Sequence, residues 1–283
     1  MFLNIGWIRG IIKDVHVGGS RFFVFLHTMV KRRFFIRFDF SGTCFHGWQI
    51  QPNAPTVQQE MEDAISLLFG EKLQLTGAGR TDTGVHARNY MAHFEINSGT
   101  GEVEIRNLVS KLNRFLPPSI FIKEIFEVKP DIHARFSAVS RTYKYYISRT
   151  KNPFLTEFSW IYTGFLDVPS MKEAAGLLPE FHDFKCFSKT RTQTRTTECQ
   201  MFESFFTEKE EMLIYHVRAN RFLRNMVRAI VGTLMEVGKG KLDLNGFRNV
   251  VENGNRSDAG VSVPARGLFL EQIEYPEDIR LLP

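Results

Sequence analysis

The sequence predicts an α+β fold, and three observations support that class. Helical and β-patterned segments are mixed along the 283 residues, the strands are joined mainly as hairpins, and no GxGxxG-type crossover unit is present. The length allows one large domain or two modest ones sharing a core. There is no exact internal repeat and no low-complexity linker.

The elements follow in order. Residues 33–40 alternate apolar and polar side chains, the period of a half-buried strand, and a glycine-containing loop runs over 41–49. Thr56 opens a helix. Gln59 three residues on completes a capping pattern, Val57, Met61, Ala64, Ile65 and Leu68 recur at helical spacing, and Gly70 is the stop. Gln59, Glu60, Glu62 and Asp63 are expected to turn to water. Two short strands, 73–75 and 90–96, bracket a polar loop over 77–88. A helix over 102–115 stops at Pro117-Pro118, ahead of strands at 120–127 and 142–148. A weaker helix is expected over 170–178, and 196–206 pairs with 211–219 as a hairpin around 207–210. For a helix over 221–237, steps of 100° place Leu223, Met226, Val227, Ile230, Leu234 and Val237 on one face. Arg221, Arg224 and Arg228 fall on another. A helix from about 245 to 251 and a strand over 268–274 close the pattern.

Composition is that of an ordinary globular protein: 43% hydrophobic, 24% charged, with a formal net charge of +5 that suits a polyanionic partner. The 27 phenylalanines belong mostly to the core, with some free to stack on bases. Cys44, Cys186 and Cys199 form no CxxC pair and read as reduced structural thiols of a cytoplasmic protein. No HExxH or comparable ligand spacing occurs, so no metal is expected, and no apolar run is long enough for a membrane span. Residues 1–29 read as an extension without the h-region of a signal peptide, the functional protein being expected to start at Met29. The remainder divides into a half over 30–150 and a half over 151–283, with the boundary in the loop-rich stretch 149–164.

The loop Gly77–Arg88 concentrates the chemistry. Gly77, Gly79 and Gly84 surround one carboxylate, Asp82, with Arg80 and Arg88 nearby in the chain. Glycines permit close approach of the backbone to a ligand. A cleft-facing aspartate among arginines can be a nucleophile or an electrostatic stabiliser of a glycosidic carbon, and equally an Asp/Gly turn holding a surface salt bridge. The residues of the loop alone do not choose.

The run Gly79-Arg80-Thr81-Asp82-Thr83-Gly84-Val85-His86-Ala87 resembles the GRTDxGVHA signature of the tRNA pseudouridine synthase A family. Phe40-Ser41-Gly42, Phe45-His46-Gly47-Trp48-Gln49 and Thr56-Val57-Gln58 are similar to that family's opening segments. Phe136-Ser137-Ala138 and Arg141-Thr142-Tyr143-Lys144-Tyr145 resemble its central ones, and Phe222–Arg228, Ile230-Val231-Gly232 and Gly267-Leu268 its late ones. The likeness runs in register from about residue 33 to 275. It implies a central, mostly antiparallel sheet flanked by helices, in two similar halves around a basic RNA-binding cleft. It further implies isomerisation of uridine to pseudouridine at positions 38, 39 and 40 of the tRNA anticodon stem-loop, by a homodimer that needs no cofactor. Under the resemblance Asp82 is the attacking aspartate and Arg80 helps flip the uridine out of the stack. Tyr143 packs on the target base and assists proton removal at C5, or else is a strand tyrosine filling core, and Arg228 pairs with Asp82 in bidentate fashion.

Arg221 and Arg224 face phosphates or solvent. Lys185, Lys189, Arg191 and Arg195, with Phe184 and Phe187 interleaved, form a basic stretch for the tRNA backbone or a solvated loop. Arg88, His133, Arg135 and Arg141 are further RNA-contact candidates, whereas His86 and His93 read as structural. Asn225 and Arg224 depart from the histidines that relatives often carry there. Three rival readings stay open: a pseudouridine synthase of other specificity, a non-catalytic RNA-binding module, and a metal-assisted hydrolase using Asp82 as ligand.

Overall fold

The computed structural model describes residues 10–17, 20–27, 31–97, 102–189 and 196–281. Strands β1 (Gly10–Val17) and β2 (Ser20–His27) pair antiparallel as a separate two-stranded sheet, within the stretch read from sequence as an extension. The expected start at Met29 lies outside the described residues.

The other described elements are organised on one nine-stranded sheet. Its first half comprises β3 (Lys31–Phe40), α1 (Val57–Phe69), β4 (Thr76–Gly77), β5 (His86–Asn97), α2 (Glu102–Phe115) and β6 (Ile120–Val128). Then come β7 (Ser140–Ser148), β8 (Trp160–Ile161), α3 (Val168–Leu177), β9 (Met201–Lys209), β10 (Met212–Ala219), α4 (Met226–Gly238), α5 (Leu244–Asn253) and β11 (Leu268–Glu274). The strand order is β6-β3-β5-β11-β7-β10-β9, with β4 on β5 and β8 on β7. Pairing is antiparallel except for β11 with β5 and β7 with β8. The last strand thus inserts in the middle of the sheet and joins its two parts.

Two hydrophobic cores lie along this sheet. One gathers Phe34, Ile36, Phe38, Met61, Ile65, Tyr90 and Leu112; the other gathers Tyr145, Ile147, Phe184, Phe187, Tyr215, Ile230 and Phe247. Leu268 of β11 enters the second core and Leu270 the first, and the ring of Tyr143 packs against both. Phe184 and Phe187 are therefore core side chains rather than stacking surfaces for bases.

Three local expectations need correction. Residues 73–75 form no strand, because side chains of α1 replace the ladder partners. Leu73 N–H donates to Ser66 Oγ (2.9 Å) and Leu75 N–H to Glu62 Oε1 (2.8 Å). Glu62 is accordingly buried instead of solvated. The hairpin turn is two residues long, Glu210-Glu211, with Glu210 at φ 53°, so residues 207–209 extend β9. Finally, no helix begins at 221. Asn225 adopts a left-handed conformation (φ 66°), α4 starts after it, and Arg221 and Arg224 lie on the lead-in loop. The helix is not amphipathic either: of its 13 residues only Arg228 and Glu236 escape burial.

Candidate functional site

The loop carrying Asp82 is pinned from both ends. Ala78 N–H donates to Met91 O (2.9 Å), the Tyr90 hydroxyl donates to Gly79 O, and Val85 N–H closes a turn onto Asp82 O (3.2 Å). Beneath it runs the 41–49 loop, anchored by buried Phe45 and Trp48. The two loops touch backbone to backbone. A Cβ on Gly42 would stand 2.1 Å from Val85 O, and one on Gly47 (φ +88°) 2.3 Å from Thr81 O. Only glycine fits at these two points. His86 ties in a third segment, accepting Gly42 N–H at Nδ1 (3.1 Å) while Nε2 meets Glu157 O (3.0 Å).

Above the loop opens a cleft of about 1020 Å³. Arg80, Lys189, Arg224, Arg228 and Arg256 line it, and among the described residues Asp82 is the only carboxylate in its lining. Arg228 reaches Asp82 with Nη1 3.3 Å from Oδ2, both side chains about a quarter exposed. Arg224 Nε stands 3.9 Å from Oδ1. The Arg228 contact uses one guanidinium nitrogen, because Nε donates to Val263 O (2.8 Å), so the bidentate pairing expected from sequence is not formed. The helix nonetheless carries Arg228 to the aspartate: it projects from the first turn of α4, at one of the two positions along that helix not needed for packing. The Arg80 guanidinium is exposed and makes no hydrogen bond or ion pair among the described residues.

Tyr143 lies edge-on to Phe222, ring centroids 5.0 Å apart. Burial pushes its hydroxyl up to about 12, with the negative charge of Asp82 adding in the same direction and Arg141 opposing. At neutral pH it is a neutral phenol.

The remaining candidates divide. Lys189 and Arg224 are in the cleft, and Lys189 N–H donates to Arg224 O (3.3 Å). Arg88 is turned away from Asp82, pairing with Glu271 (3.2 Å) and lying over Phe269. Arg141 is a strut, donating to the carbonyls of Arg135, Ala138 and Asn220 at 2.6 to 3.0 Å. His133 accepts the N–H groups of Arg135 and Phe136 and packs edge-on to His93. Arg135 is exposed beside Phe136, Lys185 is exposed on a short 3-10 turn, and Arg221 is half-buried. Arg191 lies outside the described residues. Sequence reasoning missed Asn255, Arg256, Ser257 and Ser262, which form one wall of the cleft. Their only local signal is a turn-rich run around a lone arginine. Among the described residues no three His, Cys, Asp or Glu side chains cluster as metal ligands, and no helix is long and apolar enough to cross a membrane.

A family model described as tRNA pseudouridine synthase matches residues 37–137 and 181–276. The chain is 47% identical over 248 residues to a tRNA pseudouridine synthase A of Parabacteroides distasonis, covering 88% of this chain and 98% of that relative. It is 47% identical over 251 residues to the protein of that name from Bacteroides thetaiotaomicron, covering 88% and 92%. With the Porphyromonas gingivalis protein of the same name the identity is 45% over 251 residues, covering 88% and 99%.

Proposed function

The chain belongs to the tRNA pseudouridine synthase family, and from that premise we propose that it isomerises uridine to pseudouridine at positions 38, 39 and 40 of the tRNA anticodon stem-loop, with Asp82 as the nucleophile. The observation that carries this reading is that, among the described residues, one carboxylate, Asp82, is set among five cations in an open cleft. A polyanion is drawn in by the cations and meets one group able to attack a sugar carbon.

In this mechanism a uridine leaves its stack, at a cost of a few kcal/mol, and enters the cleft. Arg80, exposed and uncommitted, takes the vacated place. Asp82 acts at C1′ as the N1–C1′ bond breaks, and the uracil keeps the bonding electrons. The base turns so that C5 faces C1′, the C5–C1′ bond forms, Asp82 is released, and the C5 proton is lost as N1 gains one. Atoms and electrons balance without an external reactant. Arg228 holds the carboxylate through its 3.3 Å contact. Tyr143 meets the base as a neutral phenol, a packing surface and hydrogen-bonding group rather than a phenolate base.

The test is to incubate purified protein with unmodified tRNA and map pseudouridine site by site. Modification confined to positions 38–40 supports the whole reading. Modification elsewhere overturns the specificity and keeps the chemistry, and tight binding without pseudouridine overturns the chemistry.

A further inference from the structure

The cleft wall over residues 255–262 is more organised than a connection between a helix and a strand requires. Ser262 Oγ accepts two donors at once, Asn225 Nδ2 at 2.6 Å and Arg256 Nη2 at 2.8 Å. A serine hydroxyl has two acceptor lone pairs and one proton. With both lone pairs engaged, that proton is left to be donated, and no protein acceptor takes it among the described residues.

Arg256 is fixed in turn. Its Nη1 donates to Ala259 O (3.4 Å) and Gly260 O (3.1 Å), and no carboxylate pairs with it among the described residues. The nearby acid in the chain, Asp258, is turned to the backbone N–H of Asn255 (2.7 Å). The loop has no slack against α4. Gly260 N–H donates to Thr233 Oγ1 (2.8 Å), and a Cβ on Gly232 would stand 2.0 Å from Val261 O. A pinned, unneutralised guanidinium therefore sits beside a hydroxyl that is free only to donate, both lining the cleft. Each complements an anionic oxygen, and rigidity lowers the ordering cost of binding one.

We infer that residues 255–262 form a phosphate-binding subsite, in which Arg256 and the Ser262 hydroxyl hold one backbone phosphate of the bound RNA. The inference rests on the function proposed above. The subsite is wired to the aspartate through the next residue: Val263 N–H donates to Arg228 O (3.2 Å) and Arg228 Nε to Val263 O (2.8 Å). A phosphate gripped here is thus placed at a fixed distance from the Arg228–Asp82 pair.

The experiment is equilibrium binding of unmodified tRNA to the full-length protein across a KCl series, for wild type, Arg256→Gln, Arg256→Lys and Ser262→Ala, with melting temperatures as the control for folding. Arg256→Gln is expected to weaken binding roughly tenfold and to lower the slope of log affinity against log salt by about 1. Arg256→Lys keeps the slope. Ser262→Ala weakens binding by about threefold to tenfold, the size of one ordinary hydrogen bond net of solvation, at unchanged slope. A folded Arg256→Gln protein with wild-type affinity and slope overturns the subsite. Should that variant fail to fold, wild-type affinity in Ser262→Ala overturns it instead. Failure of the proposed function reads differently: wild type then forms no pseudouridine, while the slope change persists.

Discussion

Asp82→Asn separates chemistry from architecture because the substitution keeps the shape and removes the charge. At 3.3 Å and an effective dielectric of about 20, the gross attraction between Asp82 and Arg228 is about 5 kcal/mol. Both side chains remain about a quarter exposed, and Arg228 keeps its bond to Val263 O without the aspartate. Solvation and side-chain entropy offset most of that attraction, leaving a net worth of about 1 kcal/mol or less. In a chain of this size such a loss lowers the melting temperature by about 2–4 °C. Removing a negative charge from a cleft lined by Arg80, Lys189, Arg224, Arg228 and Arg256 leaves tRNA affinity unchanged or raises it slightly. Loss of the nucleophile, in contrast, lowers turnover by at least about 10³-fold. Release of tritium from tRNA labelled at uridine C5 measures turnover, and filter binding and thermal melting measure the rest. A variant that keeps a tenth of wild-type turnover refutes the role of Asp82. One that loses activity together with more than about 10 °C of stability refutes the claim that the pair contributes little to folding.

Three further outcomes follow from the geometry. Arg228→Lys cannot supply both the Asp82 contact and the bond to Val263 O, so turnover is expected to fall by roughly 10- to 100-fold with circular dichroism unchanged; wild-type turnover would show the guanidinium fork to be dispensable. Gly47→Ala drives a methyl into Thr81 O and demands a positive φ, which should cost about 2–4 kcal/mol by thermal melting and displace the Asp82 loop; an unaffected melting temperature would deny the contact between the two loops. For His93, burial first, then Arg33 and His133, hold the ring down at about 4, with Glu95 opposing, and the neutral Nδ1 accepts Ala134 N–H (3.1 Å). The folded value lies below the ordinary 6.5, so the unfolded chain binds the extra proton. The contribution is complete above about pH 6.5 and is lost as pH falls towards 4. Partial solvent access to the ring reduces the expected loss to about 1–2 kcal/mol. Melting temperatures from pH 7 to 4 should show this decline, and His93→Gln should flatten it.

How much of this was readable in the chain follows from the range of the interactions involved. The Asp82 loop was legible because its chemistry is contiguous: glycines that let two loops touch stand beside the carboxylate they present. The N-cap at Thr56 and the stop at Gly70 were legible for the same reason, each being a local bond or a local φ. What failed was decided across the fold. Residues 73–75 have strand composition, yet Glu62 and Ser66 of α1 satisfy their backbone first. The apolar periodicity continued back through Leu223 although a left-handed Asn225 begins the helix, and a hydrophobic pattern does not register the sign of φ. The insertion of β11 between β5, to which it runs parallel, and β7, to which it runs antiparallel, leaves no local trace at all.

Arg228 shows why a correct site can come from an incorrect element. The helical wheel separated it from the apolar face of a helix that does not include Arg221 or Arg224 and is buried nearly all round. What brings Arg228 to Asp82 is instead the left-handed Asn225, which sets where α4 begins, and the 255–263 segment, which holds both Asn225 and Arg228 by side-chain bonds. The other lining residues come from loops at 46–51, 80–83, 189, 224–225 and 255–262. Loops displayed by a rigid sheet are where substrate contacts concentrate. Their mutual placement is long-range, so a motif can name the aspartate while only the fold names the wall that faces it. The 255–262 wall is therefore where differences between related chains should alter RNA grip without touching the aspartate.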